Sequence, residues 1–324
     1  MWAGRERLGA LVGEERVLDL QAAHIAQWEK ELGQSLNRSQ RLLAEAEMPA
    51  DMRRFIELGP RTWQRAEALI RSAGVGGGTD RSNCSSNYSS SDSSGAPVWF
   101  SRSQIRLAAP IADPGKVICV GLNYLDHAIE TNMQVPKTPV IFAKYASALI
   151  GPEDVIVHPG AGVTARVDYE AELVVVIGRR GKNIPASEAM AYVFGYTVMN
   201  DVSARDLQME SGQWLKGKTL DTFAPLGPAI VTADEVPDPH QLDIRCTVNG
   251  EVLQNSNTRN LICKIPDLIA YISRLATLEP GDIIATGTPA GVGMGRRPPV
   301  WLQPGDVVTV EVQNIGALTN RVTG

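Results

Sequence analysis

The feature that most constrains this chain is Asp168-Tyr169-Glu170-Ala171-Glu172 running directly into Leu173-Val174-Val175-Val176-Ile177-Gly178. The apolar run reads as a β-strand, and side chains on a strand alternate between faces, so Glu170 and Glu172 share one face and Ala171 takes the other. Two ionised carboxylates held that close repel each other. In a poorly hydrated site one of them is pushed to protonate unless a positive charge joins the pair. A divalent metal ion is one answer, and an exposed strand end with two solvated glutamates is the other.

A second β-rich run, Ala191 to Asn200, delivers Asp201 at its end and brings a third oxygen ligand within reach. Three hard carboxylates with no Cys or His pair nearby select Mg²⁺, Mn²⁺ or Ca²⁺ over zinc, and leave roughly three octahedral positions open. An open coordination sphere points to catalysis. Beyond Asp201 come Ser203, Arg205, Asp206 and Gln208, and Trp214-Leu215-Lys216-Gly217-Lys218-Thr219 sets lysines beside a glycine. A lysine beside a polarised carbonyl stabilises a developing enolate, although most lysines are solvated surface charges.

Five motifs in order resemble the fumarylacetoacetate hydrolase (FAH) superfamily from about Lys116 to the C-terminus. They are Val120-Gly121-Leu122-Asn123-Tyr124-Leu125-Asp126-His127, Asp168 to Leu173, Asn200 to Asp206, Gly217 to Phe223, and Leu278 to Pro289. Gln213-Trp214-Leu215 and Arg297-Pro298-Pro299-Val300-Trp301-Leu302 are most similar to the FAH domain-containing protein 2 subgroup. The resemblance implies an α+β, β-rich FAH fold with metal ligands at Glu170, Glu172 and Asp201, in agreement with the strand argument. It further implies a lid helix carrying His127 and Glu130 on one face, an active-site lysine at Lys218, a substrate-facing Gln208, and Thr288 in the loop that receives a substrate carboxylate. A glutamate beside an imidazole orients it and raises its basicity. The paired arms imply a homodimer.

The chemistry implied by the resemblance is metal-dependent, with Mg²⁺ or Mn²⁺ (Ca²⁺ as a further option) polarising the carbonyl of a 2-oxo acid. Relatives that cleave acylpyruvates often have a basic residue where this chain has Leu122. The reading therefore favours oxaloacetate enol–keto tautomerisation or decarboxylation, with acylpyruvate-type C–C hydrolysis as the alternative and a catalytically silent metal-binding scaffold as the second. Asp126 reads either as a residue that supports the site from behind the ligands or as a helix cap, since Asp ahead of a short helix is a favoured N-cap. Lys144 also falls on a family position, and reads equally well as an ion-pair partner supporting the sheet.

The chain has 324 residues, of which 44% are hydrophobic, enough for a substantial core. A net charge of −5 argues against nucleic acid and anionic membrane surfaces as partners, and the resemblance implies a small-molecule 2-oxo acid as substrate. No stretch approaches the roughly 20 apolar residues that span a bilayer. Cys84, Cys119, Cys246 and Cys263 lack zinc or redox spacing and read as reduced thiols. The start has no apolar signal core, and the early Glu6, Glu14 and Glu15 weaken a mitochondrial assignment, so a cytoplasmic location is expected, with mitochondrial as the alternative.

Residues 1–73 read as a small N-terminal domain with helical signals at His24 to Leu32, Gln40 to Glu47 and Thr62 to Ser72. Family members usually begin with a further strand ahead of the segment resembling Leu8 to Leu20, so the start reads as either shortened or mispredicted. Residues 74–96, rich in Gly, Ser and Asn, read as a disordered linker, because they bury too little apolar surface to offset their ordering entropy. Residues 97–324 form the expected catalytic domain, with a hairpin turn at Asn249-Gly250 and a helix over Ile265 to Ala276. The Gly-rich Gly287 to Gly295 lacks the Lys-Ser/Thr of a P-loop and reads as a backbone N–H pocket for a carboxylate.

Overall fold

Asp19 starts the first helix by accepting a hydrogen bond from the Ala22 N–H at 2.8 Å, and Gly33, at φ 64°, ends it. The computed structural model describes residues 6–13, 15–73, 98–130 and 134–324. These fall into two compact units, Met1–Arg106 and Leu107–Gly324. The first holds a hairpin of β1 (Gly9–Val12) and β2 (Arg16–Asp19), then α1 (Leu20–Leu32), α2 (Arg38–Glu47), α3 (Met52–Leu58) and α4 (Pro60–Ser72). Asn37 and Gln40 cap α2 reciprocally, and Asp51 caps α3. The three helical signals lie within α1, α2 and α4; the short α3 has too few turns for a periodic pattern.

The first unit reaches past the expected boundary at residue 96, because β3 (Trp99–Ser101) pairs antiparallel with β2 and makes a three-stranded sheet. Arg16 stacks its guanidinium 4.0 Å from the Trp99 ring across that pairing. The proposed linker, 74–96, lies outside the described residues.

The second unit begins with β4 (Val117–Gly121), α5 (Leu125–Glu130), β5 (Val140–Lys144), β6 (Leu149–Ile150) and β7 (Val155–Val157). There follow β8 (Val167–Asp168), β9 (Ala171–Ile177), β10 (Val193–Asn200), β11 (Ser203–Ala204), α6 (Arg205–Met209) and α7 (Leu215–Lys218). The rest is β12 (Ala224–Thr232), β13 (Asp243–Val248), β14 (Glu251–Asn257), α8 (Ile265–Leu275), β15 (Ile283–Ala285), β16 (Val307–Val312) and β17 (Gly316–Thr323). A seven-stranded sheet has the order β5-β4-β15-β9-β10-β12-β6, and a five-stranded sheet the order β14-β13-β16-β17-β7. The pairings β15–β4, β12–β6 and β17–β7 are parallel and the others antiparallel, so the sheets are mixed.

Every residue of β9 is buried. Leu173, Val175 and Ile177 on one face belong to the same core as Ile244 and Cys246 of β13, Val308 and Val310 of β16, and Leu268 and Ile272 of α8. The two sheets therefore share one core through alternating positions. The expected hairpin joins β13 to β14, with Asn249 and Gly250 both in the left-handed region at φ 52° and 83°. The expected helix over 265–276 is α8, opened by a proline in its first turn.

Candidate active site

The carboxylates converge because β9 and β10 are antiparallel neighbours in a fixed register, with Asn200 opposite Ala171 and Met199 opposite Glu172. Glu170 stands in the short break between β8 and β9, not on the strand itself. Its backbone carbonyl accepts from the Asp201 N–H at 2.9 Å, and its N–H donates to Asn200 Oδ1 at 3.0 Å. Ligand oxygens of Glu170, Glu172 and Asp201 lie within 4.8 Å of one another, and all three residues are buried.

Three buried cations surround this cluster. Lys218 Nζ donates to Glu170 Oε2 at 2.6 Å and to Asp201 Oδ2 at 2.9 Å. Arg205 Nη2 pairs with Glu170 Oε1 at 2.7 Å, and Lys144 Nζ with Asp201 Oδ1 at 2.7 Å. Burial alone would raise the Glu170 carboxyl, but Lys218 and Arg205 outweigh it and hold it down at about 2. Lys218 is pulled down by burial and raised further by Asp201 and Glu170, ending above its ordinary value. Lys144 ends below its own, because burial outweighs Asp201.

Glu172 differs from its two companions. Its Oε2 accepts only the Gly287 N–H, at 2.9 Å, and no described cation pairs with it. Burial and the charges of Asp201 and Glu170 push its carboxyl well above the usual range. A buried all-oxygen donor set in which one carboxylate lacks a countercharge fits a hard divalent cation.

The lysine and the glutamine reach the cluster through a tight contact of α6 with α7. A Cβ on Gly217 would lie 2.5 Å from the Gln208 N, so only glycine lets the two helices approach this closely. Gln208 is buried and accepts from Arg205 Nη1 at 3.0 Å. Arg205 is held in turn by Asp168, whose carboxylate takes Arg205 Nε at 2.8 Å and the N–H groups of Gly293 and Met294 at 2.7 and 3.0 Å.

His127 and Glu130 lie on α5, with His127 Nδ1 3.3 Å from Glu130 Oε2. Glu130 Oε1 accepts from the Gly291 N–H at 2.9 Å, which ties the helix to the glycine-rich loop. A small inner cavity of about 40 Å³ is lined by His127, Glu170, Glu172, Gln208, Lys218 and Thr288, with Leu122 on its wall. A wider cleft of about 840 Å³ shares Arg205, Met209 and Met294 with it. Of the eight residues singled out from the sequence, six therefore line one cavity. Asp201 sits among the carboxylates and Glu130 beside the imidazole.

Asp126 is in the first turn of α5 and is not its N-cap. Its Oδ1 accepts from the His127 N–H at 2.9 Å and its Oδ2 from Ser256 Oγ at 2.5 Å, so it fastens the helix to β14. Lys144 pairs with Asp201 inside the site, which favours the family position over general support of the sheet among its two sequence readings. Asp168 and Arg205 carried no assigned role; the Asp168-to-Glu172 motif held the first in view, and only the fold reveals its contact with the second.

Residues 116–323 match the family described as fumarylacetoacetate (FAA) hydrolase, C-terminal, and the chain belongs to this family. It is 55% identical over 222 residues to oxaloacetate tautomerase Fahd2a, mitochondrial, of Rattus norvegicus, covering 68% of this chain and 70% of that protein. It is 48% identical over 277 residues to oxaloacetate tautomerase fahd2, mitochondrial, of Xenopus laevis, covering 85% of this chain and 79% of that protein. Among solved structures it is similar to maleylpyruvate hydrolase from Sphingobium sp. SYK-6, with a TM-score of 0.69 and 29% identity over 98% of this chain and 96% of that one.

Proposed function

We propose that this chain is a divalent-metal-dependent oxaloacetate tautomerase that interconverts the enol and keto forms of a 2-oxo dicarboxylic acid. The observation that carries the reading is one small cavity holding a three-carboxylate cluster, a buried lysine on that cluster and a His–Glu pair. Its identity of 48 to 55% to oxaloacetate tautomerases supports the choice of substrate.

Glu170, Glu172 and Asp201 would hold the cation, with Mg²⁺ or Mn²⁺ the proposed occupants. A hard divalent ion there would act as a Lewis acid on the 2-oxo group, making the adjacent C–H more acidic. Thr288 receives the substrate carboxylate, and the Lys218 ammonium, with Gln208 beside it, faces the oxygen on which negative charge develops. His127 exchanges the proton at C3. With Nδ1 turned to Glu130, the proton passes through Nε2, and Glu130 stabilises the imidazolium that forms. One proton leaves C3 and one arrives at the 2-oxygen, so the composition of the substrate is unchanged.

A proton NMR time course of oxaloacetate with Mg²⁺ tests this. The expected result is faster enol–keto exchange with no extra pyruvate. Faster pyruvate release would make the protein a decarboxylase, and no change in either would remove the proposal. The likeness to a maleylpyruvate hydrolase keeps C–C hydrolysis as the second reading, detectable on acylpyruvates in the same assay.

The relatives' names place them in mitochondria, and this supports a mitochondrial location over the cytoplasmic one expected from the sequence. A homodimer is part of the proposal, to be read from the mass in solution. No helix among the described residues is long and apolar enough to cross a membrane.

A further inference from the structure

The hydroxyl of Thr288 is aimed by a residue from the other sheet. Gln254, on β14, is 0% exposed. Its Oε1 accepts the Ala171 N–H at 2.9 Å, while its Nε2 donates to the Pro289 carbonyl at 2.9 Å and to Thr288 Oγ1 at 2.8 Å. A backbone N–H can only donate and a carbonyl oxygen can only accept. The orientation of the amide is therefore fixed by its partners, and the alternative flip would oppose donor to donor and acceptor to acceptor.

This has a directional consequence for Thr288. Its oxygen is already receiving a hydrogen bond from Gln254, so its own proton must go elsewhere, and that proton has no acceptor among the described residues. Thr288 is nearly buried, at 5% exposure, and lines the inner cavity. We propose that Gln254 is a positioning residue that holds the Thr288 hydroxyl as a hydrogen-bond donor toward the substrate carboxylate. The same amide bonds the backbone of Ala171, between Glu170 and Glu172, so one side chain keeps the carboxylate cluster and the carboxylate-receiving loop at a fixed separation. An acceptor at position 254 would instead draw the threonine proton inward and present an oxygen lone pair to an anion.

The inference rests on Thr288 as the substrate contact, and its test separates the two. Binding of oxalate in saturating Mg²⁺ would be measured by calorimetry for the wild type, Gln254→Met, Thr288→Val and the double variant. Oxalate has carboxylates but no enolisable carbon, so its binding does not depend on turnover. Each single substitution is expected to weaken oxalate about tenfold, the worth of one hydrogen bond to a charged group. If Gln254 acts through the hydroxyl, the double variant loses no more than Thr288→Val. A loss of about a hundredfold in the double variant would mean independent effects and would overturn the proposal. So would wild-type oxalate affinity in Gln254→Met, or a loss of Mg²⁺ affinity in that variant measured without oxalate.

Wild-type affinity in Thr288→Val would remove the underlying contact, and the proposal with it, while leaving tautomerase activity to be judged on oxaloacetate. Should Gln254→Met fail to fold, Gln254→Glu keeps the shape and the acceptor for Ala171. It is expected to weaken oxalate by more than tenfold, and wild-type binding by it would overturn the assignment.

Discussion

The carboxylate floor and the α5 arm face the same cavity, yet the floor is fixed by buried charge and the arm is fastened by a few bonds at its two ends. In the floor, Glu170, Glu172 and Asp201 are at most 5% exposed and are surrounded by Lys144, Arg205 and Lys218. On the arm, Leu125 is 51% and Ile129 72% exposed, and the attachments run through Asp126 to Ser256 and through Glu130 to Gly291. The contrast matches the two tasks we propose for them. Holding a multivalent ion demands donors that cannot relax, whereas exchanging a proton demands only that one imidazole arrive in the right place. Disturbing the floor should therefore cost folding and ion binding together, and disturbing the arm should cost turnover alone.

The largest effect is expected for Glu170→Ala. It strips Arg205 and Lys218 of a shared partner, and although Asp168 and Asp201 still face them, the lost charge-assisted hydrogen bonds should cost about 1.5–3 kcal/mol. Urea denaturation should show that loss, and calorimetry should show no Mg²⁺ binding; retained Mg²⁺ affinity would detach Glu170 from the cation. His127→Ala comes next and should behave oppositely, with Mg²⁺ affinity within twofold of wild type and turnover slower by about 10²-fold or more. Unaltered turnover in that variant would remove the imidazole as the proton carrier.

A smaller effect lies at the edge of the floor, in Asp206. Burial raises its carboxyl, but hydrogen bonds from Thr164 Oγ1 and from the N–H groups of Ala165 and Leu207 outweigh this and leave it below its ordinary value of 3.8. A carboxyl depressed in the folded state adds stability that is present above pH 3.8 and is lost as pH falls below it. Asp206→Asn should thus cost only a few tenths of a kcal/mol at pH 7, because solvent screens this partly exposed carboxylate, and its deficit should close as denaturation is repeated at progressively lower pH under 3.8. A deficit independent of pH would show that the charge plays no part. The smallest effect is expected on the arm's outer face, where Ile129→Ser should move the unfolding free energy by less than about 0.5 kcal/mol. A larger loss would mean that the outer face of α5 is packed against something.

How much of this was visible in the chain follows the same division. The floor's anions were legible, because period-two alternation and an apolar run put Glu170 and Glu172 together before any fold was known, and the next β run delivered Asp201. Their countercharges were harder to see. Lys144 arrives from β5, across β4, β15 and β9 in the sheet order, and no local pattern records that path. Asp126 was misplaced by one helical position, because an acidic residue beside a short helix looks the same at the cap and in the first turn. Gln254 gave no signal beyond membership of a hairpin strand, since its importance depends on two sheets meeting. The boundary after residue 96 shifted to Arg106 because β3 pairs with β2, and Trp99-Phe100-Ser101 is too short a run to declare its partner.

The antiparallel pairing of β9 with β10 has a consequence for how the chain reaches its native state. A slip of one residue in that pairing would turn Glu172 toward the apolar interior now filled by Leu173, Val175 and Ile177, and would send an aliphatic side chain into the place of the carboxylate. Burying an unpaired carboxylate among aliphatic groups costs several kcal/mol, so misaligned chains are selected against before any substrate is met. The residue that we assign to ion binding thus also proofreads the alignment of the two central strands, and assembly fidelity and activity are written into the same side chain.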